Sequence, residues 1–270
     1  MNLTEIKEIC QEYDIVPTKS RGQNFLFDQN VVEKIIKSAN LKKDDLILEI
    51  GPGLGVLTEH LIKESKKVIA VELDKKIIDF LKSKYSNIKK LQIISGDILR
   101  TDIDVLNLTK PYKIVANLPY NITSNFIRKF LEADNSPEEI VIMVQYEVAK
   151  RMIEKPGKMS MLSVAVQFYA DVEIVFRVSR NSFWPAPKVD SAIIRITMKN
   201  KLPYQDTVKF FRVVKMGFSA KRKQLQNNLA NGFHRDREEI KKILQEVGLN
   251  EKVRAQDLSI DEWIKILNKI

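Results

Sequence analysis

The sequence predicts an α/β protein with an open, mostly parallel sheet followed by a small helical domain. Short apolar runs alternate with amphipathic helical segments between residues 29 and 198, which is typical of repeated βα units. A glycine-rich turn at residues 51–55 joins the first such run to a helix. After Pro203 the pattern is helical only. We therefore expect a sheet domain over residues 1–200 and a helical domain over residues 201–270.

Each predicted element follows from hydrophobic periodicity. Strands are expected at residues 46–50, 68–71, 91–95, 112–116, 139–144, 172–178 and 191–198. Helices are expected at the start of the chain and at residues 29–39, 56–64, 122–131, 145–153 and 160–170. The second domain has helical patterns at residues 210–218, 236–247 and 259–270.

Composition and charge limit the possible functions. The chain has 270 residues, a hydrophobic content of 44% and a formal net charge of +10, so it can bury a full core and favours a polyanionic partner. Residues 199–270 carry 16 Lys and Arg against 9 Asp and Glu, a balance of +7. The single cysteine, Cys10, excludes an internal disulfide and fits a reducing compartment. We recognise no export signal, membrane-length apolar run or metal-binding cluster, and expect a cytoplasmic protein without membrane or metal partners.

The glycine turn predicts a nucleoside site. Glu72 lies 21 positions after Gly51, the distance at which a βαβ unit brings an acid to ribose hydroxyls. The turn reads GPGLG instead of the dinucleotide fingerprint GxGxxG, and Glu49 precedes it. A carboxylate there repels a pyrophosphate but favours a sulfonium or an amine, so S-adenosylmethionine fits better than NAD. A turn needed only for tight packing is the alternative. Asp97, just past the third strand, is a candidate partner for the adenine amine of the cofactor.

The segment Asn117-Leu118-Pro119-Tyr120 ends the fourth predicted strand and is the candidate catalytic site. It contains neither a nucleophile nor a metal ligand. The Asn117 side-chain oxygen and the Leu118 carbonyl can accept both N–H bonds of an adenine amine. Pro119 restricts the backbone, and Tyr120 offers a face for stacking a base. An ordinary strand-to-helix turn is the alternative.

Two connecting segments carry aromatic rings. Residues 18–28, TKSRGQNFLFD, place aromatics beside Lys19 and Arg21, either to cover a ligand or to staple the next helix. Residues 179–190, SRNSFWPAPKVD, form a stiff connection in which we expect Phe183 to close a stack on a flipped base and Trp184 to be structural. Core packing is the competing interpretation for both rings.

A basic run in the helical domain is the candidate RNA contact. Lys221, Arg222 and Lys223 lie within the segment FSAKRKQLQNNL at residues 218–229. Three adjacent cations suit phosphates, although such a run is more often a solvated surface.

Several motifs together resemble the ribosomal RNA adenine N6-dimethyltransferases. They are GQNFL at residues 22–26, EIGPGLGVLT at 49–58, VELD at 71–74, GD at 96–97 and NLPYNIT at 117–123. FWPAPKVDS at residues 183–191 and FSAKRKQLQNNL at residues 218–229 resemble the small-subunit branch, the kasugamycin-resistance methyltransferases. The resemblance runs from about residue 19 to the C-terminus.

The resemblance implies a Rossmann-like class I methyltransferase sheet with a small all-helical C-terminal domain. It also implies S-adenosylmethionine as methyl donor, and N6-dimethylation of two adjacent adenosines in a hairpin loop near the 3′ end of 16S RNA. The substrate would be the 30S particle during ribosome biogenesis, and the enzyme is expected to be a monomer. The family's cofactor contacts correspond to Asn24, Leu26, Gly51, Glu72, Asp97 and Asn117. Its base-holding residues correspond to Asn117, Leu118, Pro119, Tyr120 and Phe183.

Three other activities share parts of this pattern. A large-subunit methyltransferase of the macrolide-resistance type has the same cofactor site, but the segment at residues 218–229 disfavours it. A DNA adenine methyltransferase would usually need an additional target-reading domain, which we do not find. A ribosome-assembly factor whose binding matters more than its catalysis would keep the fold, but Glu72, Asp97 and Asn117 favour an enzyme.

Overall fold

The computed structural model describes residues 1–18 and 22–270, which divide into two compact units. The first unit comprises residues 1–149 and 172–198, and the second comprises residues 150–171 and 199–270. The boundary at residue 200 stays a prediction from the sequence; in the structure, residues 150–171 group with the helical unit.

Helices and strands alternate through most of the first unit. The helices of the chain are α1 (Leu3–Glu12), α2 (Gln29–Ser38), α3 (Val56–Glu64), α4 (Lys75–Lys84), α5 (Thr123–Leu131), α6 (Tyr146–Met152), α7 (Met161–Tyr169), α8 (Thr207–Gly217), α9 (Leu225–Phe233), α10 (Arg237–Glu246) and α11 (Ile260–Leu267). The strands are β1 (Phe25–Leu26), β2 (Leu46–Ile50), β3 (Lys67–Glu72), β4 (Leu91–Ser95), β5 (Lys113–Asn117), β6 (Glu139–Gln145), β7 (Ala170–Val178), β8 (Phe183–Trp184) and β9 (Ser191–Met198).

The main sheet has seven strands in the order β4-β3-β2-β5-β6-β9-β7. The pairs from β4 to β6 are parallel, and β9 runs antiparallel to β6. The central strands are continuous apolar runs, as required when helices cover both faces of a parallel sheet. Ile47, Leu48 and Ile114, for example, are fully buried. The α/β fold class predicted from the sequence is confirmed.

A second sheet of two short strands joins distant parts of the first unit. Strand β1 pairs antiparallel with β8, so Phe25 lies opposite Trp184 and Leu26 lies opposite Phe183. Each strand has only two residues, too few to show an alternating pattern in the sequence. The pairing fixes the segment around Asn24 against the connection between β7 and β9.

The second unit is helical and has an aromatic core. The rings of Phe168 and Phe210 stack with their centroids 4.3 Å apart, and Trp263 is fully buried. Buried Asn228 donates from Nδ2 to the carbonyls of Gly217, at 2.6 Å, and Ala220, at 3.1 Å. These two bonds fix the turn between α8 and α9.

Within the described ranges, no helix combines the length and apolar character needed to span a membrane. Among the same residues, no group of three or more His, Cys, Asp or Glu side chains is placed to hold a metal ion.

A buried ion pair holds the amino edge of the main sheet. Lys113 Nζ lies 2.9 Å from Asp45 Oδ2, with side chains only 9% and 14% exposed, and donates to the Asn40 carbonyl at 3.0 Å. Removing one member of such a pair leaves the other charge buried and uncompensated.

We expect Lys113→Met to lower the free energy of unfolding by about 3 kcal/mol, because the Asp45 carboxylate would lose its partner in a dry setting. Urea unfolding measures the loss. Lys43→Met is the matched control, since its pair with Glu64 is 74% and 47% exposed and should contribute less than about 1 kcal/mol. Equal losses in the two variants would contradict a specific role for the buried pair.

Candidate active site

The candidate site lies where the strand order of the main sheet changes direction. From β2 the chain adds β3 and β4 on one side and then crosses to β5 on the other. Ligands of open α/β sheets bind beyond the carboxyl ends of the strands at such a switch point. A cleft there encloses about 870 Å³ including its open mouth. Eight predicted site residues line it: Asn24, Leu26, Gly51, Glu72, Asn117, Leu118, Pro119 and Tyr120.

Glycines shape the wall that follows β2. Gly51, Gly53 and Gly55 have φ angles of 61°, 54° and 80°, in the left-handed region that other residues rarely adopt. A Cβ at Gly55 would lie 2.8 Å from the Tyr85 hydroxyl, which donates to the Gly55 carbonyl at 3.1 Å. Gly51 and Gly53 line the cleft and have no side chain that would separate their backbone from a ligand.

Glu72 is held rigidly at the end of β3. Its Oε1 accepts from the backbone N–H groups of Leu73 at 2.8 Å and Asp74 at 2.9 Å. Among the described residues its Oε2 accepts one long bond, 3.4 Å, from the Gly53 N–H, and so keeps capacity to accept from ribose hydroxyls. Burial raises the pKa of this carboxyl above its ordinary value, while the backbone donors oppose that shift.

Glu49 is a buried carboxyl that faces the same cleft. It is 1% exposed, lines the cleft, and its Oε2 has no hydrogen-bond partner among the described residues. Burial raises the pKa of Glu49 to about 8, the Thr58 hydroxyl opposes the shift, and nearby Glu72 adds to it. A buried orphan oxygen of this kind fits the cationic end of S-adenosylmethionine, since an opposite charge would compensate the desolvated carboxylate.

Asp97 lies on the same edge but outside the wall of the cleft. Gly96 N–H donates to the Glu72 carbonyl at 2.9 Å, which places the loop beside Glu72. Asp97 Oδ1 accepts from Leu99 N–H at 2.9 Å. The loop is tied down by Lys129 of α5, whose ammonium donates to the carbonyls of residues 98, 99 and 101.

Asn117 ends β5 with its amide group oriented by a neighbouring backbone. Its Nδ2 donates to the Asn24 carbonyl at 3.2 Å. A carbonyl only accepts, so the nitrogen must face Asn24, and the Asn117 side-chain oxygen stays available as an acceptor toward the cleft. Neither residue reveals this pairing in the sequence, because 93 positions separate them.

The three residues after Asn117 complete one side of the cleft. Pro119 has φ −56° and ψ 130°, an extended conformation that directs the chain into α5 through a short 3-10 turn. The Tyr120 hydroxyl lies 2.6 Å from Ser191 Oγ, at the start of β9. The bond fixes the ring before any ligand arrives.

Other predicted residues lie elsewhere. Phe183 is 3% exposed and packs in the core with Leu26 and Val31, so its stacking on a base, which stays a prediction, would require the ring to become exposed. Lys19 and Arg21 lie outside the described residues. The basic triplet at residues 221–223 is exposed in the turn before α9 of the second unit.

The sequence did not predict a role for Tyr85, Lys129 or Ser191. Each of these residues holds a segment of the site through a hydrogen bond to a residue distant in the chain, and none lies in a recognisable motif.

A nucleoside cleft with buried acids, next to acceptors suited to a purine amine, defines an S-adenosylmethionine-dependent adenine methyltransferase. Comparison with known proteins agrees. The sequence model of the family described as ribosomal RNA adenine dimethylase matches residues 17–270. The chain belongs to this family, which uses S-adenosylmethionine as methyl donor.

Individual relatives cover nearly the whole chain. Ribosomal RNA small subunit methyltransferase A from Dehalococcoides mccartyi is 42% identical over 267 residues, or 98% of this chain and 92% of the relative. The crystal structure of a dimethyladenosine transferase from Plasmodium falciparum has a TM-score of 0.78 at 28% identity, covering 90% of this chain and 95% of that one. The crystal structure of the 23S rRNA methyltransferase ErmE has a TM-score of 0.75 at 26% identity, covering 91% of this chain and 99% of that one.

Glu49→Gln should remove a pH-dependent loss of stability. The folded-state pKa of about 8 lies above the ordinary value of 4.5, so between these pH values the folded protein keeps a proton that the unfolded chain releases. The contribution of Glu49 to the free energy of unfolding therefore falls as pH rises through this window, by an amount on the order of a few kcal/mol.

Urea unfolding of the cofactor-free protein between pH 5 and pH 8.5 tests this. The glutamine variant should gain stability relative to wild type as pH rises, whereas Glu33→Gln on the exposed face of α2 should follow the wild-type profile. Parallel profiles for Glu49→Gln and wild type would mean that Glu49 is ionised in the folded protein.

Proposed function

We propose that the chain dimethylates N6 of two adjacent adenosines in a hairpin loop near the 3′ end of 16S ribosomal RNA. One observation carries the assignment: the bond from Asn117 Nδ2 to the Asn24 carbonyl leaves the Asn117 oxygen as an acceptor at the end of β5. Together with the Leu118 carbonyl, it can hold both N–H bonds of an adenine amine.

The residues of this site act by positioning and by electrostatics. When bound, S-adenosylmethionine supplies the methyl group, which leaves sulfur for N6 while N6 loses one proton for each methyl gained. Acceptors at Asn117 and Leu118 stabilise the positive charge that develops on the amine. By holding both N–H bonds they also reduce the delocalisation of its lone pair into the ring, so that with correct positioning no strong base or covalent intermediate is needed. Tyr120 supplies the face on which the base stacks.

Cofactor binding is assigned to the opposite wall of the cleft. Gly51 leaves its backbone open to the ligand, and Glu72 accepts from the ribose hydroxyls. Glu49 compensates the cationic end of the donor. Asn24 and Leu26 cover the cofactor from the β1 segment, and Asp97 accepts from its adenine amine.

The small subunit is favoured over the large subunit as substrate. The relative at 42% identity is named a small-subunit methyltransferase, whereas ErmE, a 23S rRNA methyltransferase, is 26% identical. We assign the maturing 30S particle as the form recognised, in the cytoplasm, during ribosome biogenesis. Incubation with labelled S-adenosylmethionine and unmethylated subunits of each kind, followed by mapping of modified nucleosides, tests this. Label in large-subunit RNA alone would overturn the assignment.

Asn117→Ala is expected to lower kcat by roughly 10²- to 10³-fold, the usual effect of removing one preorganised hydrogen-bonding group. The fold should persist, since the site is only partly buried. Methyl incorporation into small subunits measures the loss, and thermal unfolding monitors the fold.

Asn30→Ala makes the same chemical change at an exposed position of α2 and should leave kcat at the wild-type value. Near-normal dimethylation by Asn117→Ala would reject the catalytic assignment.

The helical unit is assigned to RNA binding through its basic turn. Lys221, Arg222 and Lys223 are all exposed there, and buried Asn228 fixes the Ala220 carbonyl at the start of the triplet. Cations on a turn whose backbone is already ordered can contact phosphates without a further cost for ordering that backbone.

Replacing all three residues with alanine should weaken binding to small subunits and reduce the slope of log K against log salt by about 2 to 3, because fewer counterions are released. Binding measured across a salt series gives the slope.

A charge-matched control replaces Arg237, Lys242 and Lys252, which are also exposed in this unit. An equal change in slope for both triple variants would mean that net charge, not the turn, determines binding.

A further inference from the structure

A second binding surface lies on the first unit, at the same edge of the sheet as Asn117. We call it the Tyr146 groove, and it is lined by Tyr146, Glu147, Arg177, Arg180, Lys188, Val189 and Asp190. None of these residues was assigned a role by sequence motifs. Strand β6 pairs with β5 so that Met143 lies opposite Asn117, and Tyr146 follows the end of β6 three residues later.

The groove is linked through the backbone to the residue that holds Tyr120. Gln145 lies opposite Ser191 in the pairing of β6 with β9, and Tyr146 N–H donates to the Asp190 carbonyl at 3.0 Å. Ser191 in turn bonds the Tyr120 hydroxyl at 2.6 Å. Asp190, which lines the groove, is therefore adjacent in the chain to Ser191, which holds the Tyr120 ring of the cleft.

The floor of the groove offers flat surfaces for stacking. The Arg177 guanidinium lies over the Tyr146 ring, 4.6 Å from its centroid. Asp190 holds that guanidinium through bonds from Nε at 3.0 Å and Nη2 at 2.6 Å. Aromatic rings and arginine planes are the surfaces on which unpaired RNA bases stack.

The charge at the rim favours a phosphate. Asp190 also accepts from the Arg180 N–H at 3.0 Å. The negative charge of Asp190 is therefore offset by the Arg177 guanidinium and by this backbone donor. The side chains of Arg180 and Lys188 remain exposed to solvent, as does Val189, which is 43% exposed. Cations beside a stacking surface match one nucleotide, with its base on the floor and its phosphate at the rim.

We propose that the Tyr146 groove binds the nucleotide next to the target adenosine while that adenosine occupies the catalytic cleft. This subsite deepens the proposed function and rests on it. It uses neither the cofactor residues nor the Asn117 acceptors, so its loss should affect RNA engagement and leave donor binding unchanged.

The test combines protein variants with modified RNA. Tyr146→Leu and the double variant Arg180→Ala/Lys188→Ala are each expected to raise KM for small subunits by about 10-fold, within the range of one lost stacking or phosphate contact. The kcat and the affinity for S-adenosylmethionine should stay at wild-type values. Lys43→Ala/Arg128→Ala removes the same charge from exposed positions outside the groove and should leave KM unchanged.

A second arm identifies the nucleotide. Binding is measured to an RNA hairpin with two adjacent adenosines in its loop, and to versions with an abasic nucleotide on the 5′ or the 3′ side of that pair. The affinity of the wild-type protein should be about 10-fold lower for one of the two abasic RNAs than for the intact hairpin. For Tyr146→Leu, the affinity for that abasic RNA should equal its affinity for the intact hairpin.

Unchanged KM in both groove variants, or a full additional loss in Tyr146→Leu on each abasic RNA, would overturn the subsite. Wild-type dimethylation of small subunits, measured in parallel, reports on the proposed function separately.

Discussion

The short pairing between β2 and β5 is the constraint on which the site depends. The two strands pair only from Ile47 to Glu49 of β2, whereas β2 remains paired with β3 through Ile50. Beyond Glu49 the chain turns toward Gly51 on one side while β5 continues to Asn117 on the other. The cleft opens in the space between these strand ends, so its Gly51 side and its Asn117 side are set by the same backbone hydrogen bonds.

This arrangement places groups in the cleft that lower the stability of the fold. Two carboxyl groups, Glu49 and Glu72, are buried beside each other, and each has a raised pKa. Three glycines adopt left-handed conformations in the adjoining turn. Native proteins keep such features mainly where a ligand needs them. A cationic ligand would relieve the unfavourable burial of the acids. Part of the interaction energy would therefore come from removing a destabilisation that the ligand-free protein already carries.

The sequence predicted the strands, the glycine turn and the segment at residues 117–120 that lines the cleft, because each is a local pattern. All seven strands of the main sheet were located to within about two residues at either end. The pairing of β1 with β8 was missed, since two-residue strands have no periodicity, and with it the burial of Phe183 opposite Leu26. The role of Lys129 also has no signal in the sequence, because its partners are backbone carbonyls about 30 positions away. The Tyr146 groove likewise combines residues from three separate segments.

The contacts of Lys129 have a mechanical consequence. Helix α5 begins directly after the 3-10 turn that starts at Tyr120 and carries Lys129 two residues before its end. The same helix therefore follows the Tyr120 turn at one end and holds the Asp97 loop near the other. As long as this helix is intact, Tyr120 and the backbone of residues 98–101 therefore keep a fixed separation, although they follow different strands of the sheet.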